Sequence, residues 1–292
     1  MGTPPAEIEV DEALVRRLLA DQHPDLAGLV FGARSGWDNF QWRLGDELAV
    51  RLPRRQQAVV FAENEHRWLP ELAPRLPLPI PAVVRLGRPA DGYRWPWSVV
   101  RWIPGSPGDQ VALGDVASSA ERLGRFLRAL HRPAPAEAPH NPYRSVPLAD
   151  RADLVQDGLT QLGSVLDVAA VRRVWEQALA APTWTAPPTW IHGDLHPANT
   201  VIVDGVLAGV IDFGDVCAGD PATDVAAAWM LLASEAVPTF AAAYGGIDEA
   251  LDRRARGWAV FFGLILLCIE EPSTYKPIGR ATLARLTSAP AS

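Results

Sequence analysis

Hydrophobic positions along the chain change their period near residue 104. Before it, Leu14, Val15, Leu18 and Leu19 share one face of a helix that Asp11 or Glu12 can open and that runs to about Ala20. Three short strand-like runs follow, Leu29–Ala33, Phe40–Leu44 and Leu48–Leu52. The first two are joined by Arg34-Ser35-Gly36-Trp37-Asp38-Asn39 and the last two by Gly45-Asp46, a pattern that predicts an antiparallel meander. A helix is expected from about Gln57 to Leu72, ended by Pro74, and the prolines at 77, 79 and 81 keep the next stretch extended. Ala82–Leu86 and Trp97–Ile103 complete an expected five-stranded sheet with one helix.

Pro104-Gly105-Ser106-Pro107-Gly108 reads as a linker, and the helical period dominates after it. Helices are expected over Leu113–Leu130 and Leu154–Ala180, on either side of a proline-rich interval from Pro133 to Pro147, and again over Ala226–Leu232 and Trp258–Ile269. One compact β element interrupts them: Thr189–Ile191, a polar loop, Thr200–Val203, a turn at Asp204-Gly205, then Leu207–Ile211. The pattern is that of an α+β protein of two lobes, 1–103 and 104–292, with a cleft expected between them.

Composition narrows the class. With 292 residues, 48% hydrophobic and 21% charged, the chain has the profile of a globular protein near the size limit of a single core. Lys+Arg 27 against Asp+Glu 34 leaves a net charge of −7, which argues against a nucleic-acid partner. Lys276 is the sole lysine. Cys217 and Cys268 lie far apart without a CxxC pairing, so no disulfide framework or zinc site is expected. The N-terminal stretch has early acids and no apolar core of a signal peptide, and the run Gly257–Ile269 is too short to cross a bilayer, so no membrane partner and a cytoplasmic location are expected.

The densest polar cluster is His192-Gly193-Asp194-Leu195-His196-Pro197-Ala198-Asn199, followed after one hairpin by Asp212-Phe213-Gly214-Asp215. Asn199 stands five residues after Asp194, the spacing at which an Asp accepts a hydroxyl proton and an Asn holds Mg²⁺, and Asp212 then supplies a second metal ligand directly after a strand. A transferring phosphoryl group needs hard oxygen ligands and a cation to neutralise its charge, and a carboxylate to orient the attacking hydroxyl. Singly, each of these residues is an ordinary turn or capping residue. Their joint spacing makes the functional reading the stronger one.

The segment HGDLHPANTVIVDGVLAGVIDFGDVCAGDPATDVA resembles the catalytic core of the aminoglycoside and macrolide phosphotransferase family, whose fold is similar to that of protein kinases. The resemblance implies a bilobal kinase-like α+β fold, Asp194 as catalytic base, Asn199 and Asp212 as magnesium ligands, and Asp220, Pro221 and Asp224 as braces of the loop. His192 and His196 are expected to support the loop rather than to exchange protons. Cys217, beside the metal loop, is expected to be incidental.

A kinase-like site further requires a hairpin over the phosphates, a cation on the third strand and an acid on the next helix. The Arg34–Asn39 hairpin offers Ser35, Gly36 and Asn39, although it lacks GxGxxG. Arg51 stands where the general pattern has lysine, with Glu65 as its expected partner and Glu63 as the alternative. Val99–Gly105, with Val100 and Trp102, forms the expected connector for a nucleotide base, ATP or GTP. Trp95, Trp97 and Trp102 are expected to pack rather than to stack on a ligand. For the acceptor, Asp215, Glu235, Glu270, Glu271 and Tyr275 are positions of interest. The expected reaction is phosphorylation of a hydroxyl on a small-molecule antibiotic of aminoglycoside, macrolide or nucleoside type. A kinase of a metabolic alcohol and a non-catalytic nucleotide-binding regulator are the alternatives.

Overall fold

The computed structural model describes residues 4–90, 92–270 and 274–288. Helix α1 spans Glu12–Gln22, opened by the Asp11 side chain, which accepts the Leu14 N–H at 2.7 Å. Strands β1 (Val30–Ser35), β2 (Asn39–Leu44) and β3 (Leu48–Pro53) form the expected meander. Helix α2 (Val59–Leu72), β4 (Val83–Gly87) and β5 (Trp97–Arg101) follow. The five strands make one antiparallel sheet in the order β1-β2-β3-β5-β4, so β5 inserts between β3 and β4 and lies in register with the strand that carries Arg51.

The chain then runs through β6 (Ser106–Pro107), α3 (Val116–Leu130), α4 (Ala152–Gln161), α5 (Val168–Leu179), β7 (Thr189–Ile191), β8 (Thr200–Val203), β9 (Val206–Val210), β10 (Cys217–Gly219), α6 (Ala222–Leu231), α7 (Val237–Tyr244), α8 (Glu249–Cys268) and α9 (Lys276–Ser288). Strands β8 and β9 are the expected hairpin. No helix among the described residues is long and apolar enough to cross a membrane.

Several local expectations are corrected. The helix expected over Leu154–Ala180 is two, because the chain leaves the helix at Leu162 and Asp167 caps a new one by accepting the Ala170 N–H at 2.9 Å. The linker contains a short strand, with Ser106 and Pro107 opposite Ile202 and Val201. The loop between β1 and β2 is only Gly36-Trp37-Asp38, because Ser35 already pairs with Phe40. Strand β10, too short to read from sequence, pairs with β7 and ties the segment after Asp212 to the one before His192.

Two apolar cores result. The first joins α1 to the sheet through Leu18, Leu19, Trp42, Leu52, Trp95 and Trp97. The second fills the space among α3, α6, α8 and α9, and it takes in Trp68, Leu69 and Leu72 from the end of α2. Helix α2 therefore carries Glu65 on a rod whose C-terminal turns are embedded in the second core, which fixes its position relative to the β8–β9 hairpin.

Candidate functional site

Strand β3 buries five of its six residues, and Arg51 points from it toward α2. Its Nη1 donates to Glu65 Oε1 at 2.7 Å and Oε2 at 2.8 Å, and both side chains are about 5% exposed, at 6% and 5%. Glu63, the alternative partner, is exposed. The Arg51 Nη2 reaches Asp212 Oδ1 at 3.4 Å, so sheet, helix and metal loop meet at one guanidinium. The Asp212 side chain is itself 50% exposed, and the residue holds φ +64°, a left-handed conformation that Asp tolerates better than most residues.

The loop between β7 and β8 is held from beneath. Asp224, fully buried at the start of α6, accepts the His192 N–H at 2.6 Å and the Gly193 N–H at 2.9 Å. Gly193 has φ +85°, and a Cβ there would stand 2.7 Å from the Asp215 carbonyl, so only glycine fits. His192 behaves as expected: its Nε2 donates to the Ile211 carbonyl at 3.0 Å while Nδ1 accepts the Asp194 N–H at 3.3 Å. Asp220, the other expected brace, pairs with Arg254 at 2.7 Å.

His196 packs against the same loop from the other end. Its Nε2 lies 3.5 Å from Asp194 Oδ2, its Nδ1 is buried without a partner, and its ring meets Tyr275 edge-on. Asn199 donates from Nδ2 to the Asp194 carbonyl at 2.8 Å and to Asp194 Oδ2 at 3.3 Å. That fixes the amide, and its Oδ1 accepts no hydrogen bond among the described residues. On the other side, Arg144 Nη2 donates to Asp194 Oδ1 at 2.9 Å. Burial alone would raise the Asp194 carboxyl, but His196, Arg144 and His192 outweigh it and hold the group well below the usual carboxylate range. Asp215 is pushed up to about 6 by burial, with Asp194 and Asp212 adding to the rise against Arg144 and Asn141. Cys217, buried in β10, is pushed up to about 12 by burial, which leaves an inert thiol.

One cavity is lined by Arg51, Val100, Trp102, Asn199, Asp212 and Tyr275. Gly36 and Trp37 of the β1–β2 turn line it from above. The Gly36 N–H, expected to face a ligand, instead donates to the Asn39 carbonyl at 2.8 Å, and Asn39 is buried at the start of β2. The turn is stapled to the end of β3: Arg55 holds Asp38 at 2.6 Å and Arg54 reaches the Gly36 carbonyl at 2.8 Å. In the connector, the Trp102 N–H is taken by the Glu47 carbonyl at 2.7 Å. Trp95 and Trp97 pack in the first core as expected, whereas Trp102 lies at the cavity wall with Arg43 stacked 4.2 Å from its ring.

The acceptor-side positions scatter. Asp215 accepts from Asn141 Nδ2 at 2.6 Å, and Tyr275 lies at the cavity beside His196. Glu235 is exposed on a single turn that packs against α3 and α7, Glu270 is exposed after α8, and Glu271 lies outside the described residues. Sequence reading missed Arg144 and Asn141. Their only local signal is a polar Asn-Pro-Tyr-Arg cluster within the proline-rich interval.

The family model for the phosphotransferase enzyme family matches residues 32–258, which contain every element of this site except Tyr275. The chain belongs to the phosphotransferase enzyme family. Among curated members of similar sequence, the Escherichia coli aminoglycoside 3'-phosphotransferase is 28% identical over 172 residues, covering 56% of this chain and 60% of that protein. The homoserine kinase of Afipia carboxidovorans is 32% identical over 172 residues, covering 54% of this chain and 50% of that protein. The aligned region thus spans between half and three fifths of these relatives' length. Solved phosphotransferase structures share the fold over nearly the whole chain. The GDP complex of aminoglycoside 2'-phosphotransferase-IIIa superposes with a TM-score of 0.68 at 21% identity, covering 96% of this chain and 99% of that one. The macrolide 2'-phosphotransferase of Brachybacterium faecium does so with a TM-score of 0.60 at 24% identity, covering 97% and 99%. The kinase-like α+β fold that the resemblance implied is therefore the fold of this phosphotransferase-family chain.

Proposed function

We propose that this chain is a small-molecule kinase that moves the γ-phosphoryl group of ATP or GTP to a hydroxyl of an antibiotic. The observation that carries the reading is the convergence of Arg51, Asn199 and Asp212 on one cavity, with the Asp194 carboxylate hydrogen-bonded to Asn199 at its edge. The names of the similar proteins, aminoglycoside and macrolide phosphotransferases, support the acceptor class, and the GDP complex supports a nucleotide donor. The homoserine kinase among the relatives favours a second reading, a hydroxylated metabolite as acceptor on the same machinery.

In this reading residues 1–103 hold the nucleotide and 104–292 the chemistry and the acceptor. Val100 and Trp102 border the base. The β1–β2 hairpin, with Gly36 in its turn and Ser35 and Asn39 at the strand ends beside it, covers the phosphates, and the Arg51 Nη2, spared by Glu65, meets the α- and β-phosphates. The free Oδ1 of Asn199 and the half-exposed carboxylate of Asp212 are hard oxygen donors that fit Mg²⁺. When bound, the ion neutralises charge on the phosphates.

Asp194 accepts the acceptor hydroxyl and aims it at the γ-phosphorus. The new bond joins the hydroxyl oxygen to that phosphorus as its bond to the β–γ bridging oxygen breaks. The hydroxyl proton passes to Asp194, and the nucleoside diphosphate leaves. A carboxylate held below its usual range is a weak base, which suits a loose transition state in which orientation matters more than early deprotonation. Asp194→Ala and Asp212→Ala test the assignment together. The first should abolish turnover with nucleotide affinity retained, and the second should weaken Mg-nucleotide binding itself. An active Asp194→Ala enzyme contradicts the mechanism.

A further inference from the structure

The interval between α3 and α4 carries the one guanidinium that touches the Asp194 carboxylate among the described residues. Arg144 is not there by chance of a mobile side chain. Its guanidinium carbon stands 4.8 Å from the Phe262 ring centroid and 5.9 Å from that of Phe261, two aromatic residues of α8. The backbone that carries it is locked as well: Asn141 Nδ2 donates to Asp215 at 2.6 Å, Asn141 Oδ1 accepts the Tyr143 N–H at 2.8 Å, and the Asn141 N–H donates to Ser145 Oγ at 3.0 Å. The planar cation is thus held against an aromatic wall, with 15% of its side chain exposed, beside the oxygen that must receive the acceptor.

Its partnering is incomplete. Arg51 has the whole carboxylate of Glu65, whereas Arg144 has one oxygen of a carboxylate that turnover needs, and its Nε is buried with no partner. The other oxygen, Oδ2, already faces Asn199 and His196, so an arriving hydroxyl competes with Arg144 for Oδ1. A buried guanidinium that loses part of its partner needs another hydrogen-bond acceptor in its place. Asp215, with Oδ1 taken by Asn141 Nδ2, stands beside Arg144 but does not accept a hydrogen bond from it. The acceptor molecule, which arrives with the competing hydroxyl, is the group placed to supply that oxygen.

Resting on the phosphotransfer reading above, we infer that Arg144 is an acceptor-binding residue that selects hydroxylated compounds bearing a carboxylate or carbonyl oxygen close to the reacting hydroxyl, and that works against polyamines. A fixed guanidinium gives such an oxygen a directed, charge-assisted hydrogen bond, while it repels an ammonium group brought to the same place. The hydroxyl is then handed to Asp194 with its orientation set at two points.

The test measures magnesium-dependent nucleoside diphosphate release by the wild-type enzyme, Arg144→Gln and Arg144→Lys. The probes are gluconate and homoserine, which carry a carboxylate near a hydroxyl, and kanamycin, a polyamine. The wild-type enzyme should prefer one of the first two to kanamycin. Arg144→Gln should erase that preference by roughly tenfold or more, through KM, and Arg144→Lys should keep most of it. A merely structural Arg144 would lower kcat for all probes alike and leave the ratio unchanged, which overturns the inference. Wild-type preference for kanamycin overturns it too, with phosphotransfer intact, and that ranking decides even if Arg144→Gln fails to fold. Release no faster with any probe than without one ends the phosphotransfer reading itself, and this inference with it.

Discussion

Arg51 on β3 and Glu65 on α2 are joined through both carboxylate oxygens, at 2.7 and 2.8 Å, in a place almost closed to solvent. The pair links the sheet to a helix anchored in the second core, and it stands 3.4 Å from Asp212 through the same guanidinium. Burying two charges costs several kcal/mol per ion, which only their mutual contact offsets, so removing one partner is worse than removing both. Glu65→Ala should therefore lose about 3–5 kcal/mol in urea unfolding, and Arg51→Met with Glu65→Leu should recover most of that loss while remaining inactive. Equal stability of the single and double variants would show that the pair is not coupled.

Asp224 sets the loop that carries Asp194. Its carboxylate, itself closed to solvent, accepts two amides of that loop and also faces His131 Nε2 at 3.1 Å. Asp224→Ala leaves those donors unpaired. It should cost about 3 kcal/mol or more in thermal unfolding and reduce kcat at temperatures where the variant is still folded. Normal kcat would mean the loop keeps its shape unaided.

Gly193→Ala tests the same loop from above. The left-handed backbone and the 2.7 Å approach to the Asp215 carbonyl leave no place for a methyl group, so the loop must shift. The variant should lose about 1–3 kcal/mol of stability, and kcat should fall far more than nucleotide affinity. A fully active variant would show that the loop tolerates movement at Asp194.

The legible part of this protein is the part whose chemistry is local. His192, Asp194 and Asn199 lie within eight residues and Asp212 follows one hairpin, so their spacing alone aligns them. The meander was equally readable, since alternation and the Gly45-Asp46 turn set its register. Arg144 was not, because its partner Asp194 is fifty residues away and its segment is brought there by tertiary contacts, Asn141 with Asp215 and the Ala218 N–H with the Pro139 carbonyl. The same holds for β10 itself, whose three residues become a strand by tertiary pairing. The break between α4 and α5 was missed because Leu162, Leu166 and Val168 continue an apolar pattern across a non-helical stretch. Asp167, an available cap, was the overlooked signal.

His66 gives the fold a pH dependence separate from turnover. Burial, with the Arg51 charge adding to it, lowers its pKa to about 4, and its Nε2 is buried without a partner. The unfolded chain then takes up a proton near the ordinary histidine value of about 6.5, before the folded one does. Stability is therefore complete above that value and falls as pH drops from about 6.5 toward 4, by at most about 1.4 kcal/mol per pH unit from this group. His66→Gln should flatten the profile of urea midpoints over that window. An unchanged slope would assign the effect to other groups.

The central claim, transfer of a phosphoryl group to a hydroxyl through Asp194, is tested most directly by the mass of the acceptor. The purified protein is incubated with ATP or GTP, magnesium and a panel of hydroxylated antibiotics and metabolites, in parallel with Asp194→Ala. The account predicts that one acceptor gains the mass of a single phosphoryl group with the wild-type protein and none does with the variant. An adduct formed equally by both proteins, or nucleotide bound by the wild-type protein with no acceptor in the panel modified, would contradict it.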